Sequence, residues 1–325
     1  MSFLRFLESI RNPFFDWVFS LVTHIGEETV FLAIAILFLW CINKRKGYYI
    51  LTVGLVGTVI NQILKLSFAV PRPWVKDPDF TIVESARAEA TGYSFPSGHT
   101  QNIAGTFGAI ARGHRSVPVR ILSIVIIVLV AFSRMYLGVH TPLDVGVSLA
   151  IAALLVFAVY PLFSTEERFE RFMPYVLIGC LVLMIVFLLC LPAFAQMEHE
   201  SENLVSGFEN AATLTGCVAG LGVAFLADRL FIKFDTGAAW YVQVIKLAVG
   251  FAVVLVIKSA LKEPLISLIG DAYLARAARY FIIVIFAGVL WPLTFRPLAK
   301  VRIPPLDSFG EKVCSIVKKR DTCKD

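Results

Sequence analysis

Three short polar clusters break an otherwise apolar chain: Lys65 with Arg72-Pro73, then Pro96-Ser97-Gly98-His99, then Ser133-Arg134 with His140 and Asp144. Their residue types suit one anionic ligand. Lys65 supplies a point charge, and Arg72 a planar fork able to engage two phosphate oxygens at once. Pro71 and Pro73 break the chain just past the span that ends at Lys65, so both cations can point into one pocket. Pro96-Ser97-Gly98-His99 reads as a helix start, with Ser as the capping hydroxyl and Gly allowing close backbone approach. The free N–H groups there make an anion site before any side chain is counted, and His99 stands beside it as a proton donor. His140 and Asp144 are four apart and share one face if the turn after Pro142 is helical. A carboxylate can then hold Nδ1–H and leave Nε2 to attack, the orienter and nucleophile arrangement of covalent catalysis. Each cluster alone also reads as snorkelling cations, an ordinary helix start or a His-Asp cap. Their coincidence is what points to chemistry.

Membrane helices must position these residues. The chain has 325 residues, 58% hydrophobic and only 17% charged, with a mean hydropathy of +0.76, against a soluble average of about 45 to 50% apolar and about 25% charged. That excludes a soluble protein. Crossing a hydrocarbon core of roughly 30 Å takes about 20 helical residues, and the apolar runs show no ten-residue alternation of a lipid-facing barrel. The expected fold is all-α, a polytopic transmembrane bundle. About nine spans are predicted, at 29–43, 47–68, 97–112, 118–137, 141–163, 172–194, 209–229, 238–260 and 276–298. Residues 1–28 carry apolar side chains at helical spacing (Phe3, Leu4, Leu7, Ile10, Phe14, Trp17, Leu21) and no signal-peptide pattern. They predict an amphipathic helix in the interface, with a half-inserted first span as the alternative. Of the six cysteines, Cys41, Cys180, Cys190 and Cys217 lie in apolar runs and Cys314 and Cys323 in a basic tail, which implies no disulfide framework.

Basic residues fall on alternate connections: Lys44-Arg45-Lys46, Arg112 with Arg115, Arg168 with Arg171, Arg229 with Lys233, then the lysine-rich tail from Lys300. The positive-inside rule puts all of these, with the C-terminus, in the cytoplasm. The opposite connections carry Asp77, Asp79, Glu84, Glu89 and the run Glu198-His199-Glu200-Ser201-Glu202, and the three clusters face outward with them. Lys258, Lys262, Arg276 and Arg279 run against the rule on that side. Compact loops, and no Asn-x-Ser/Thr site on the outer side, favour a bacterial plasma membrane.

Lys65 through Arg72-Pro73, Pro96 through His99, and Ser133-Arg134 through His140 and Asp144 together resemble the three-part signature of the type 2 phosphatidic acid phosphatase superfamily, with every motif position present. The resemblance covers roughly residues 1–163. It implies that His140 attacks phosphorus to form a phosphohistidine, that Asp144 orients His140, and that His99 protonates the leaving oxygen. It also implies that Lys65, Arg72, Ser97, Gly98 and Arg134 bind the phosphate oxygens, with no metal and no cofactor. The vanadate haloperoxidases of the same superfamily are soluble, and the hydropathy argues against them. The sequence itself places no pair or triad of carboxylates near the clusters to hold Mg²⁺, so transition-state charge falls to the cations and helix dipoles.

The chain accordingly divides into a catalytic membrane domain at 1–163, further transmembrane helices at 164–299, and a basic cytoplasmic tail at 300–325. The second part repeats no catalytic cluster. The segment 256–264 faintly echoes the Lys65 region and reads as a chance helix end. Gly216 and Gly220 have the spacing of close helix approach, expected within the chain rather than between copies. Lys246, inside an apolar run, is either functional or snorkelling, and Arg276 with Arg279 either anchors the last span or meets an extended head group. The expected activity is a metal-independent lipid phosphate phosphatase at the extracytoplasmic face. Its substrates would be phosphatidic acid, phosphatidylglycerophosphate, a polyprenyl diphosphate or a sphingoid phosphate, and nucleic acid is not a partner. The alternatives are a lipid phosphotransferase using the same phosphohistidine, or a lipid-phosphate transporter, which would not need His99, His140 and Asp144 together.

Overall fold

The computed structural model describes residues 1–197 and 201–304, and among them all regular structure is helical. The α-helices are α1 (Ser2–Ser9), α2 (Pro13–Thr23), α3 (Glu28–Leu37), α4 (Lys44–Phe68), α5 (Pro73–Lys76), α6 (Gly98–Gly113), α7 (Val117–Tyr136), α8 (Pro142–Val159), α9 (Glu166–Met197), α10 (Ser201–Ala227), α11 (Trp240–Ala260), α12 (Lys262–Ile269), α13 (Ala272–Ile285) and α14 (Phe295–Ala299). The acidic residues at 198 and 200, the cysteines at 314 and 323 and most of the basic tail lie outside the described residues. Cys41, Cys180, Cys190 and Cys217 are unpaired.

Among the described residues, seven helices are long and apolar enough to cross a bilayer: Lys44–Lys76, Val117–Tyr136, Pro142–Phe163, Glu166–Phe194, Glu202–Ile232, Trp240–Ala260 and Ala272–Ala299. The stretches Pro13–Gly26 and Glu28–Ile42, bent by 51° where they meet, add an eighth if taken as one span. Two of the nine expected spans therefore fall short. The first is α3, whose 10 residues span only with α2. The second is α6, whose 16 residues carry Thr100, Gln101, Asn102 and Thr106. At 1.5 Å per residue it reaches only ~24 Å, starting from the buried cap Ser97. The N-terminal segment is also not one helix. Asn12 accepts from Phe15 N–H at 3.1 Å with Pro13 in the first turn, which ends one helix and opens the next. Leu4 and Leu7 of α1 bury against Phe80 and Ile82 of the 77–96 loop, whereas Phe14, Trp17 and Leu21 of α2 stay exposed, as hydrocarbon contact requires.

The central helix is α4, packed by α3, α6, α8, α9 and α10. Asn43 caps its start by accepting from Lys46 N–H at 3.0 Å, and aromatic residues surround its first half, with Tyr48 against Phe169 and Phe225, and Tyr49 against Phe163. Phe31 sets the far edge of its ring against Gly54 so closely that a Cβ there would come within 2.2 Å of it. A second apolar cluster of Val59, Leu66, Met184, Phe187, Leu191 and Leu214 joins the other half of α4 to α9 and α10. Ile121, Leu122, Val125, Val128 and Leu129 of α7 are exposed, while Ser133 and Arg134 turn inward. That helix is apolar outside and polar inside, as a lipid-facing wall of a polar site must be.

The packing of α10 on α13 settles one sequence feature. Gly216 lies against the backbone of Ala277 and Phe281, and Gly220 against Val284; a Cβ on Gly216 would meet the Ala277 carbonyl oxygen at 2.2 Å. The two helices run parallel in direct backbone contact. The small-residue pair serves packing within the chain, as expected.

Candidate active site

The chain delivers its two cations through a helix end and a proline-set turn. Lys65, in the last turn of α4, donates to the Tyr93 carbonyl. The helix stops at Ala69 in the left-handed region with φ 44°, its N–H still bonded to the Lys65 carbonyl at 3.0 Å. Arg72 then occupies the cap of α5, whose first residue is Pro73. Its guanidinium is spread over four acceptors: the carbonyls of Gly92 at 3.0 Å, Thr91 at 2.7 Å and Val139 at 3.0 Å, and His140 Nε2 at 3.0 Å. Only a planar fork fits that set.

At the start of α6, Ser97 is fully buried and its Oγ accepts from Thr100 N–H at 3.4 Å and from Thr100 Oγ1 at 3.0 Å. Its hydroxyl is thus committed to capping, while its neighbour Gly98 faces open space, with nothing within 4 Å of where a Cβ would be. His99 follows, with Nε2 unpartnered. Gly26 lets the turn after α2 close on this point, since a Cβ there would lie 3.1 Å from that of His99.

Between α7 and α8 the chain turns at Gly138, φ 83°, and both Val139 and His140 donate their N–H to the Arg134 carbonyl at 3.2 Å. A Cβ at Gly138 would strike Arg11 Nη2 at 2.6 Å and Phe80 at 3.0 Å, so only glycine suits this corner. The turn after Pro142 is helical, as the His-Asp spacing requires. Thr141 and Asp144 form a reciprocal capping box, with Asp144 Oδ2 accepting from Thr141 N–H at 2.7 Å and Asp144 N–H donating to Thr141 Oγ1 at 3.3 Å. Ser94 Oγ also donates to Asp144 Oδ2, at 2.6 Å. Arg134, with no exposed surface, donates through Nη1 to Thr23 Oγ1 at 2.7 Å, and its Nε and Nη2 have no protein partner.

His140 is 2% exposed. Arginine can only donate, so the Arg72 bond makes Nε2 the acceptor and places the ring proton on Nδ1. That nitrogen lies 3.6 Å from Asp144 Oδ2, an electrostatic approach rather than a full hydrogen bond. Burial first, then Arg72, Arg134 and Lys65, hold the imidazole well below its ordinary value of 6.5. The ring is therefore neutral at physiological pH with its lone pair on Nε2, the form a nucleophile needs.

Lys65, Arg72, Gly98, His99 and His140 line one cavity of about 300 Å³. The structure brings these five together; Ser97, Arg134 and Asp144 are buried and are not among its lining residues. The same cavity holds residues the sequence analysis missed. Gln62 and Asn102 lie one helical turn from Lys65 and His99, a spacing that could have identified them. Asn203, Ser206 and Asn210 of α10 also line it, a polar stripe at helical spacing in a stretch placed partly outside the expected span. Glu27, Glu28 and Glu89 line it too; folding brings them in from the α2–α3 bend and the 77–96 loop. Among the described residues, no three His, Cys, Asp or Glu side chains converge as metal ligands.

Lys246 is fully buried at the opposite end of the bundle, partnered by the carbonyls of Trp40 at 3.4 Å and Thr236 at 3.2 Å and by Gln243 Oε1 at 3.4 Å, over the Phe295 ring at 4.4 Å. Its satisfied bonds tie α11 to the end of α3, a structural role.

Cations at one helix end and a capped helix start thus surround a buried histidine whose Nε2 accepts from Arg72. Residues 45–168 match the model of the PAP2 superfamily, and residues 212–301 match that of the PAP2 superfamily phosphatase transmembrane extension. The chain belongs to the PAP2 superfamily. It is 30% identical to phosphatidylglycerophosphatase B of Bacillus subtilis, over 50% of this chain and 81% of that protein. It is 32% identical to a probable sphingosine-1-phosphate phosphatase of Dictyostelium discoideum, over 46% of this chain but only 39% of that longer protein. A crystal structure of a transmembrane PAP2-type phosphatidylglycerolphosphate phosphatase from Bacillus subtilis matches 52% of this chain and 86% of that one at 28% identity, with a TM-score of 0.41.

Proposed function

We propose that this protein is an integral-membrane, metal-independent lipid phosphate phosphatase that works through a phosphohistidine. The observation that carries the reading is His140: neutral, its Nε2 turned into the cation-lined cavity and already accepting from Arg72, with His99 Nε2 unpartnered in the same cavity. In the first step Nε2 bonds to phosphorus as the ester or anhydride P–O bond breaks, and His99 gives a proton to the departing oxygen. Asp144 stabilises the charge that develops on the His140 ring, and Lys65, Arg72, Arg134 and the N–H groups around Gly98 that on the phosphoryl oxygens. In the second, water bonds to phosphorus as the P–N bond breaks, His99 takes the water proton, and inorganic phosphate leaves. Relatives named for sphingosine-1-phosphate, phosphatidylglycerophosphate and undecaprenyl diphosphate support a lipid phosphate as substrate. We place catalysis in a unit spanning 1–163, the extension at 164–299 beside it, the cavity on the extracytoplasmic face and the 300–325 tail in the cytoplasm. Charge asymmetry between the connections supports that orientation.

Purified protein turned over with a radiolabelled lipid phosphate and quenched in base should carry an acid-labile label on His140, with none in His140→Ala. Unchanged phosphate release by His140→Ala would sink the mechanism.

A further inference from the structure

Beside the catalytic cavity, α10, α12 and α13 enclose a second cavity of about 190 Å³ whose charged lining is Lys262, Arg276, Arg279 and Glu209. Glu209 accepts from Arg276 Nη1 at 2.6 Å, which offsets one cation and leaves two in excess. Lys262 meets only Glu263, at 3.8 Å, with both side chains mostly exposed. Arg279 is 8% exposed; its Nη1 donates to the Lys258 carbonyl at 3.3 Å, and its Nε has no partner. The Nε of Arg276 is equally unpartnered. Buried guanidinium donors without acceptors are costly, and an anion in this cavity removes the cost.

The two cavities share a wall. Asn210 of α10 faces the catalytic cavity and the adjacent Glu209 faces the second. Glu28, on the catalytic side, lies within electrostatic reach of Lys258 and Arg276. The cations here sit at the bundle end that holds the site, away from Lys44 and its basic neighbours, and they depart from the alternation of basic connections that the rest of the chain keeps. Anchoring to a cytoplasmic surface does not account for them.

We propose that this cavity is a second anion-binding site, in which Lys262, Arg276 and Arg279 receive the phosphate of a lipid head group next to the catalytic cavity. A phosphodiester offers the several acceptor oxygens that two free Nε–H groups and an ammonium can share. The site acts by binding alone, so it stands or falls independently of turnover at His140.

Native mass spectrometry of the full chain in detergent, titrated with phosphatidylglycerol, phosphatidylcholine or inorganic phosphate, tests this. Phosphatidylglycerol should bind more tightly than phosphatidylcholine in two events. One should weaken in Arg72→Gln, and the other by about twenty-fivefold in the double variant Lys262→Gln with Arg276→Gln, since each cation near the surface contributes about fivefold. Displacement of that second event by inorganic phosphate at equal concentration would identify the small anion as ligand; persistence of the lipid would identify the head group. Lys262→Gln alone alters an exposed side chain that folding does not need, and should weaken the same event by about fivefold. Phosphatidylglycerol binding at wild-type strength in both Lys262→Gln and the double variant would overturn the proposal.

Discussion

Arg72 Nη1 stands 3.0 Å from His140 Nε2 and 3.0 Å from the carbonyl of Val139, so one guanidinium nitrogen grips both the ring and the backbone beside it. The contact does two things at once. It fixes the tautomer with the ring proton on Nδ1, and it keeps a cation within hydrogen-bonding distance of the atom proposed to attack phosphorus.

Replacing Arg72 with lysine keeps the charge but loses the fork that reaches Thr91, Gly92, Val139 and His140 together. We expect kcat/KM of Arg72→Lys to fall by about 10²-fold, the scale of one lost transition-state donor. Steady-state hydrolysis of a lipid phosphate in mixed micelles measures it; a loss under threefold would separate Arg72 from catalysis.

His140 titrates well below 6.5 in the folded protein. Between that lowered value and about 6.5, the unfolded chain binds a proton at this position that the folded chain refuses, so stability falls as pH drops through this window. Thermal unfolding in detergent should show Tm decreasing from about pH 7.5 to about pH 5, with a shallower decrease in His140→Asn. An equal slope in both proteins would place the titration elsewhere.

Two glycines of the site should answer the same substitution differently. At Gly138, with φ 83° and Arg11 Nη2 at 2.6 Å from the added atom, alanine should cost about 1 kcal/mol or more and lower kcat by displacing His140. At Gly98 nothing lies within 4 Å, so alanine should leave stability within about 0.5 kcal/mol but fill part of the phosphate cavity and raise KM. Tm and KM for the two variants decide the matter, and a stable, fully active Gly138→Ala would refute the account of this corner.

Turnover should persist in excess EDTA and be blocked by vanadate, because Lys65, Arg72 and Arg134 supply the positive charge and vanadate's five-coordinate form mimics the phosphoryl transition state. Strict dependence on added Mg²⁺ would instead assign the Glu27, Glu28 and Glu89 rim to a metal.

The parts of the site legible in the sequence are those that local geometry sets. His140 and Asp144 fall on one face because a capping box and Pro142 start a helix between them, and both signals are written within a few residues. The capping hydroxyl of Ser97 and the open backbone approach at Gly98 were legible for the same reason, since a helix start is written in adjacent residues. What was illegible depends on contacts across the chain. Nothing near Lys246 announces that the carbonyl of Trp40, 206 residues away, accepts a hydrogen bond from its ammonium. Nor does hydropathy reveal that α6 starts at a buried cap and runs only 16 residues, too short for the expected span. The carboxylates of the rim stayed hidden for the same reason, since a bend and a loop bring them in.

The stripe Asn203, Ser206 and Asn210 has an architectural consequence. A chain cut after α8 would keep every motif residue, but the cavity that Lys65, Arg72 and His140 line would stand open along one flank, because α10 is part of the enclosure. With Gly216 and Gly220 seating α10 directly on α13, the flank cannot be trimmed helix by helix either. Grafting the motif-bearing half onto another scaffold would therefore transfer the reagents without the vessel, and any chimera that retains selectivity will need its crossover placed beyond α13.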